Sequence, residues 1–207
     1  MNIKYLISKL LKKMHLPAIK NSVIHNTSKV ASASHVLNTT LDKYSYIGNN
    51  CTVIETDIGS FCSIADNVIL GGASHPINWV STSPVFHHGK NIMKQNFSKH
   101  AFNTAKRTIV EHDVWIGNNC LIKSGVVIHT GAIIGMGSIV TKDIPPYEIW
   151  AGNPAKLIRK RFDLITTKHL LSMEWWNMND SQLKNISVFM HNPHEFIKQY
   201  KDEAEKV

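Results

Sequence analysis

The amino-acid sequence predicts an all-β solenoid followed by a helical tail. Three observations carry this. The pentapeptide Ile-Gly-Asn-Asn-Cys occurs twice, at 47–51 and at 116–120. Stepping by six, Val110, Ile116, Ile122, Ile128, Ile134 and Val140 fall on one register without a miss. Four residues into these units stand Val114, Cys120, Val126, Ala132 and Ser138, all small or modest in size. An α-helix repeats at about 3.6 residues and a strand at about 2. A period of six, with one branched aliphatic and one small residue per unit, therefore means short strands joined by tight turns and stacked in coils.

In chain order, the first element is residues 1–20. Ile3, Leu6, Ile7, Leu10, Leu11 and Met14 stand at helical spacing, with Lys4, Lys9, Lys12 and Lys13 interleaved. This predicts a basic amphipathic helix, suited to an anionic membrane surface, to a core end or to a partner subunit. The solenoid is assigned to residues 21–155. Its first half repeats less strictly, through Val30, Val36, Leu41, Ile47, Val53, Ile58, Ile64 and Leu70 at steps of six or five. Cys51 and Cys62 follow Ile47 and Ile58, so all three cysteines share one position of the unit. That position reads as a small interior slot, and the cysteines as inert packing. Gly117, Gly125, Gly131, Gly135 and Gly137, with Asn118 and Asn119, are expected at turns that need positive φ.

The register vanishes over residues 72–107, which predicts a long loop inserted between two coils, and loops of that length are seldom idle. It ends again after Val140, where Pro145 and Pro146 break the pattern and Lys156, Arg159, Lys160 and Arg161 form a basic cluster. Residues 156–207 read as a helical tail. One helix is expected from Asp180, with Leu183, Ile186 and Phe189 on a face, and another from Pro193.

Composition narrows the function classes. A chain of 207 residues with 43% apolar and 18% charged residues can bury one sizeable core. The net charge of +8 favours anionic partners. The basic residues gather at the two ends of the chain, without the interleaved exposed aromatics of a nucleic-acid binder, so no nucleic-acid partner is expected. Three cysteines without a CxxC pair do not make a disulfide framework. No apolar run reaches the ~18 residues that span a bilayer, and the first residues lack the apolar stretch of a signal peptide. The expected location is cytoplasmic, with peripheral membrane contact through the N-terminal helix as a variant of it.

The units IGNNCL, IGMGSI and IGSFCS resemble the repeat of the hexapeptide-repeat acyltransferases. The loop GGASHPINWVSTSPVF, the run IIGMGSIVTKDIPPYEIWAGNPAKLIRKRF and the tail MEWWNMNDSQL resemble the xenobiotic and polysaccharide O-acetyltransferase branch of that family. The resemblance implies a left-handed parallel β-helix, a handedness opposite to the usual crossover rule. It also implies acetyl-CoA as acyl donor, direct transfer to a hydroxyl, and a homotrimer with the groove between neighbouring subunits.

Residue by residue, the resemblance places the general base at His75. A neutral hydroxyl must lose its proton as it attacks a thioester carbonyl, and a largely neutral imidazole can take it. No GxSxG nucleophile pattern is present. His87 and His88 are rival bases in the same loop and, with Trp79, candidates for acceptor contact. The interruption of the repeat at His129 reads as a surface corner. Trp115, Gly117, Asn118, Gly135 and Met136 match positions along the coenzyme A groove, Thr141 and Lys142 match a Thr-Lys dipeptide there, and Lys156 and Arg159 match basic positions near the nucleotide phosphates. Lysine and arginine suit phosphate charges.

The acceptor expected is a sugar hydroxyl of a capsular or lipopolysaccharide glycan or its precursor. The run after His75 is closer to those enzymes than to the drug-modifying ones. The alternatives are O-acetylation of chloramphenicol or a streptogramin, N-acetylation of a nucleotide sugar, and a non-catalytic solenoid that only binds. A zinc carbonic anhydrase on the same fold would need two histidines five apart, and none of the twelve here are; no metal is expected.

Overall fold

The computed structural model describes residues 2–204; the side chains of residues 12, 13, 203 and 204 lie outside that description, and with them the placement of the Lys12 and Lys13 side chains. Six strands stack on a first face: Ala18–Lys20, His35–Leu37, Thr52–Ile54, Ile69–Gly71, Leu121–Ile122 and Ile139–Val140. A second face stacks Val23–Ile24, Thr40–Leu41, Thr56–Ile58, Thr108–Val110 and Val127–Ile128. A third stacks Lys29–Val30, Tyr46–Ile47, Ser63–Ile64, Trp115–Ile116, Ile133–Ile134 and Glu148–Ala151. All these neighbours pair in parallel, and the solenoid agrees with the left-handed β-helix that the resemblance implied.

The six-residue register becomes three vertical columns. Val36, Val53, Leu70, Ile122 and Val140 pair in line on the first face. Leu41, Ile58, Val110 and Ile128 do so on the second, and Ile47, Ile64, Ile116, Ile134 and Trp150 on the third. Each is buried and they form one core cluster. Alternation along a strand sends one side chain of each pair inward, and burying each branched aliphatic contributes about 1.5–3 kcal/mol.

The small slots hold a hydrogen-bond ladder that the pattern alone did not reveal. Ser34 Oγ donates to the Gly48 carbonyl (2.7 Å) and accepts the Cys51 N–H (3.1 Å). Ser45 Oγ donates to the Gly59 carbonyl (2.6 Å) and accepts the Cys62 N–H (2.8 Å). The cysteines continue the ladder, with Sγ of Cys51 and Cys120 donating to the carbonyls of Ala65 (3.1 Å) and Gly135 (3.2 Å). All three thiols are free and buried, and burial pushes the Cys62 thiol up to about 12. They are packing groups, as the shared slot suggested.

The repeated pentapeptide is a corner between the third and first faces. Its second Asn supplies the left-handed residue, Asn50 at φ 55° and Asn119 at φ 59°. Its Gly does not: Gly117 has ordinary φ, but a Cβ there would lie 2.7 Å from the Met136 backbone nitrogen of the next coil. Gly135 likewise faces Ala151 Cβ at 2.8 Å. At both positions the expectation of positive φ is replaced by close approach of coils.

Two boundaries shift. The solenoid begins at Ala18, inside the segment assigned to the N-terminal helix, because Ala18–Lys20 pairs with His35–Leu37. The segment from 156 opens with a strand, Lys156–Lys160, antiparallel to Glu148–Ala151, before any helix. The insertion lies between the strand that ends at Gly71 and the one that begins at Thr108. Ser63–Ile64 still pairs with Trp115–Ile116, so the chain leaves and returns without losing register.

Helix α1 spans Ile3–Met14. The tail forms α2 (Leu164–Met173), α3 (Asp180–Ile186) and α4 (Pro193–Ala204). The pattern expected the last two. It missed α2, whose Leu-Ile-Thr-Thr start has no clean apolar stripe; Asp163 caps it by accepting the Thr166 N–H (2.9 Å). Tyr147, Leu170, Met173, Ile186, Phe196 and Ile197 make a second core beneath the tail. Among the described residues no helix is long and apolar enough to cross a membrane.

Candidate active site

The insertion emerges where the first face turns into the second. It folds back over that corner through a bridge between Ala73 and Ala105 and the Ser74 N–H donated to the Thr104 carbonyl (2.6 Å). Arg107 fastens its return. The guanidinium grips Asp57 through two nitrogens, each 2.5 Å from an oxygen, and donates to the Asn38 carbonyl (2.9 Å). That pairing holds the Asp57 carboxyl below its ordinary range.

Between loop and corner lies a cleft of about 890 Å³. The loop lines it with Ser74, His75, Asn78, Trp79, Phe102, Asn103 and Lys106. Successive coils line it with Lys123–Val126 and with Thr141, Lys142 and Asp143. Three lysines against one aspartate make an electropositive wall suited to a phosphorylated ligand.

His75 is exposed in this cleft, and its Nδ1 lies 2.9 Å from the Thr82 carbonyl oxygen. A carbonyl can only accept, so Nδ1 carries the proton and Nε2 of the neutral ring keeps its lone pair. The ring is therefore oriented by its own loop and has one nitrogen free to take a proton.

The rivals stand elsewhere. His87 is buried, donates from Nδ1 to the His88 carbonyl (2.9 Å) and packs near Phe102, with ring centroids 5.7 Å apart. It is a core residue of the loop, and the expectation that it faces the acceptor is corrected: a ring this enclosed cannot meet a dissolved molecule. His88 is exposed beside Lys99 and Asn103, in a smaller recess that His75 does not line but that shares Phe102 and Asn103 with the cleft. His129 lies between the second and third faces, its Nδ1 3.0 Å from Glu111 Oε1. Trp79 is shared by the His75 cleft and by an adjoining apolar recess with Val80, Phe86 and His100.

The residues that the resemblance assigns to the donor groove divide into two groups. Thr141 and Lys142 line the His75 cleft, Lys142 with Nζ 5.0 Å from the Trp150 ring centroid. Trp115 stands half-exposed on the third face. Gly117, Asn118, Gly135 and Met136 lie at the next corner, where Gly137 donates to the Asn118 carbonyl (2.8 Å). Lys156 and Arg159 project from the antiparallel strand at the third face's edge. Within one chain these do not meet His75. Lys106 and Lys123 line the cleft and escaped notice. Lys123 could have been found by register, since Ile122 pairs with Val140 and so sets Lys123 beside Thr141. Among the described residues no group of three or more His, Cys, Asp or Glu could hold a metal ion.

Comparisons with known proteins agree with this fold. The family described as bacterial transferase hexapeptide (six repeats) matches residues 107–142. The chain is 42% identical over 130 residues to a chloramphenicol acetyltransferase of Klebsiella aerogenes, covering 61% of each chain. It is 35% identical over 118 residues to the galactoside O-acetyltransferase of Escherichia coli K12, covering 56% of this chain and 50% of that one. AntD, an N-acyltransferase from Bacillus cereus, shares the fold at 19% identity, with a TM-score of 0.54 over 81% of this chain and 96% of that one. The chain spans 61–65% of the length of the chloramphenicol acetyltransferases it matches. A probable macrolide acetyltransferase of Lysinibacillus sphaericus is 38% identical over 142 residues, 68% of this chain and 76% of that one. With its hexapeptide register and that span of shared sequence, the chain belongs to the hexapeptide-repeat acyltransferases.

Proposed function

We propose that the protein is an acetyl-CoA-dependent O-acetyltransferase whose acceptor is a sugar hydroxyl of a capsular or lipopolysaccharide glycan or its precursor. The observation that carries the reading is His75: a ring held by Thr82 with Nε2 free, in a cleft walled by Lys106, Lys123 and Lys142. His75 Nε2 takes the acceptor proton as the hydroxyl oxygen attacks the thioester carbonyl carbon. The C–O bond forms, the C–S bond breaks, and the imidazolium returns the proton to the departing thiolate. A positioned base of this kind supplies about 10²–10⁴-fold. The lysines suit the donor's phosphates, and Trp79 and Phe102 offer ring faces to the acceptor.

The divided donor set supports a homotrimer. If the corner carrying His75 packs beside the third face of another copy, Trp115, Gly117, Asn118 and Met136 of that copy come toward the cleft. Outward-facing Ile69, Ile109, Trp115 and Leu121 give the faces the apolar surface such packing needs. The location in this reading is cytoplasmic.

The acceptor has a second reading. Relatives at 38–42% identity are named for chloramphenicol and macrolides, which favours an antibiotic hydroxyl. The run Pro76–Phe86 after the base favours the glycan, as does the galactoside enzyme's name. The test is thiol release from acetyl-CoA with glycans, nucleotide sugars, chloramphenicol and a macrolide, by wild type and His75→Ala. Turnover on a glycan, lost on substitution, is the expected result. Turnover confined to an antibiotic replaces the acceptor, and turnover indifferent to His75→Ala rejects the base.

A further inference from the structure

Among the described residues, the N-terminal helix has no partner in its own chain. Ile3, Leu6, Ile7, Leu10, Leu11 and Met14 fall within one arc when the residues are set at helical spacing, yet all are 40–70% exposed. Had α1 capped the solenoid, this arc would be covered. Instead the link after it is tied to the first coil where Ala33 donates to the His15 carbonyl (2.8 Å). The exposed apolar surface continues through Leu16, Ile19 and Val23 onto that coil.

Charge identifies what covers it. Residues 1–41 contain Lys4, Lys9, Lys12, Lys13, Lys20 and Lys29 and no acidic residue; the first carboxylate is Asp42. This stretch therefore accounts for six of the eight net positive charges. A second copy meeting this face through its own α1 would set lysines against lysines with no carboxylate to answer them. An anionic bilayer supplies the opposite charge and an apolar layer at the depth that leucine and isoleucine reach, while lysine stems extend to the headgroups.

We propose that α1 and the first coil dock the protein on anionic lipid headgroups, with the apolar arc inserted at the interface. The inference rests on exposure and charge, independently of the acetyl-transfer reading. The test is flotation of the full-length protein with vesicles of phosphatidylcholine alone or with phosphatidylglycerol as a third of the lipid. The expected result is at least ~10-fold stronger partition onto the anionic vesicles, weakening as salt is raised. Ile7→Glu with Leu10→Glu abolishes it, and Lys4→Gln with Lys9→Gln reduces it by about fivefold per lysine. Circular dichroism and thermal unfolding of both variants stay at wild-type values, because neither pair touches the core. Equal partition onto both vesicles, none onto either, or partition indifferent to both variants overturns the proposal. So does a smaller oligomer for Ile7→Glu with Leu10→Glu, which assigns the face to another copy. Thiol release with a soluble acceptor is unchanged in both variants, which separates this outcome from failure of the proposed reaction.

Discussion

The coils from Thr108 to Val140 and the insertion at 72–107 adjoin, yet they are held together in opposite ways. In the coils each strand adds an aliphatic to a column and each corner hands its backbone groups to the next coil. In the insertion few side chains are buried, Pro76 and His87 among them, and cohesion comes from edge-on rings and scattered polar contacts. Trp79 meets His100 and Phe102, and Asn96 Nδ2 donates to the His87 carbonyl (2.7 Å). Among the described residues, two of the three buried side-chain polar atoms without a partner, His87 Nε2 and Asn91 Oδ1, belong to the insertion. The coils contribute stability and a fixed corner; the loop contributes an oriented imidazole, that of His75, at modest stability.

The sharpest way to break this division is His75→Ala. The ring is exposed and held through the Thr82 carbonyl, so we expect kcat to fall about 10²–10⁴-fold while the unfolding free energy moves by less than about 0.5 kcal/mol. A comparable loss of stability would mean that the loop is part of the scaffold. Ile128→Ala is the opposite experiment. Ile128 is fully buried in the second-face column between Val110 and the Ile144 bridge. Its truncation should cost about 2–5 kcal/mol in chemical denaturation, with kcat retained wherever the protein stays folded.

The same division explains what could be read in advance. The aliphatic columns were legible because a coil that closes every three strands returns each inward position to the same register. The five-residue steps at Leu41 and Ile58 were absorbed without loss, since both side chains are buried in their column. The serine ladder was not legible: an inward Ser reads as merely small until the carbonyl above it is seen. Unit position was also legible where corner identity was not. Gly117 and Gly135 share one corner and Lys123 and Thr141 another, and period six treats the two alike. Only the full turn of three strands separates them, which is why donor residues assigned together were found at two corners. Inside the insertion there is no register, so spacing did not separate His87 from His75; only the resemblance singled out His75, and burial now sets His87 apart.

Arg107 joins the two regions and sharpens where one ends. Arg107→Met removes the grip on Asp57 and the contact to the Asn38 carbonyl. Both partners are substantially exposed, so the loss of stability should be about 1 kcal/mol or less. Any larger effect should appear in KM, as the loop's return loosens. Its pH dependence has a definite sign. Hydrogen bonding from Arg107 lowers the Asp57 pKa below its ordinary 3.8. The contribution is therefore complete above about pH 4 and fades as pH falls through the lowered value. The gap between wild type and Arg107→Met should close on acidification, and a gap that widens would remove Asp57 as the cause.

The smallest expected effect tests whether the slots are interchangeable, which is what repetition in the coils means physically. Ser28, Ser45 and Cys62 follow one another in a single slot: Ser45 N–H donates to Ser28 Oγ (2.9 Å) as Cys62 N–H donates to Ser45 Oγ (2.8 Å). Cys62 Sγ reaches the Glu111 carbonyl at 2.9 Å, as Ser45 Oγ reaches Gly59. A serine at 62 finds the same acceptor, so Cys62→Ser should change the unfolding free energy by less than about 1 kcal/mol, whereas Cys62→Val leaves that carbonyl without its donor and should cost more, about 1–3 kcal/mol. With the thiol raised to about 12 by burial, a disulfide reagent at pH 8 should modify Cys62 only as fast as the coils open. Rapid labelling of the folded protein would place a loose coil beside the insertion and show that coils sharing one slot are not equally stable.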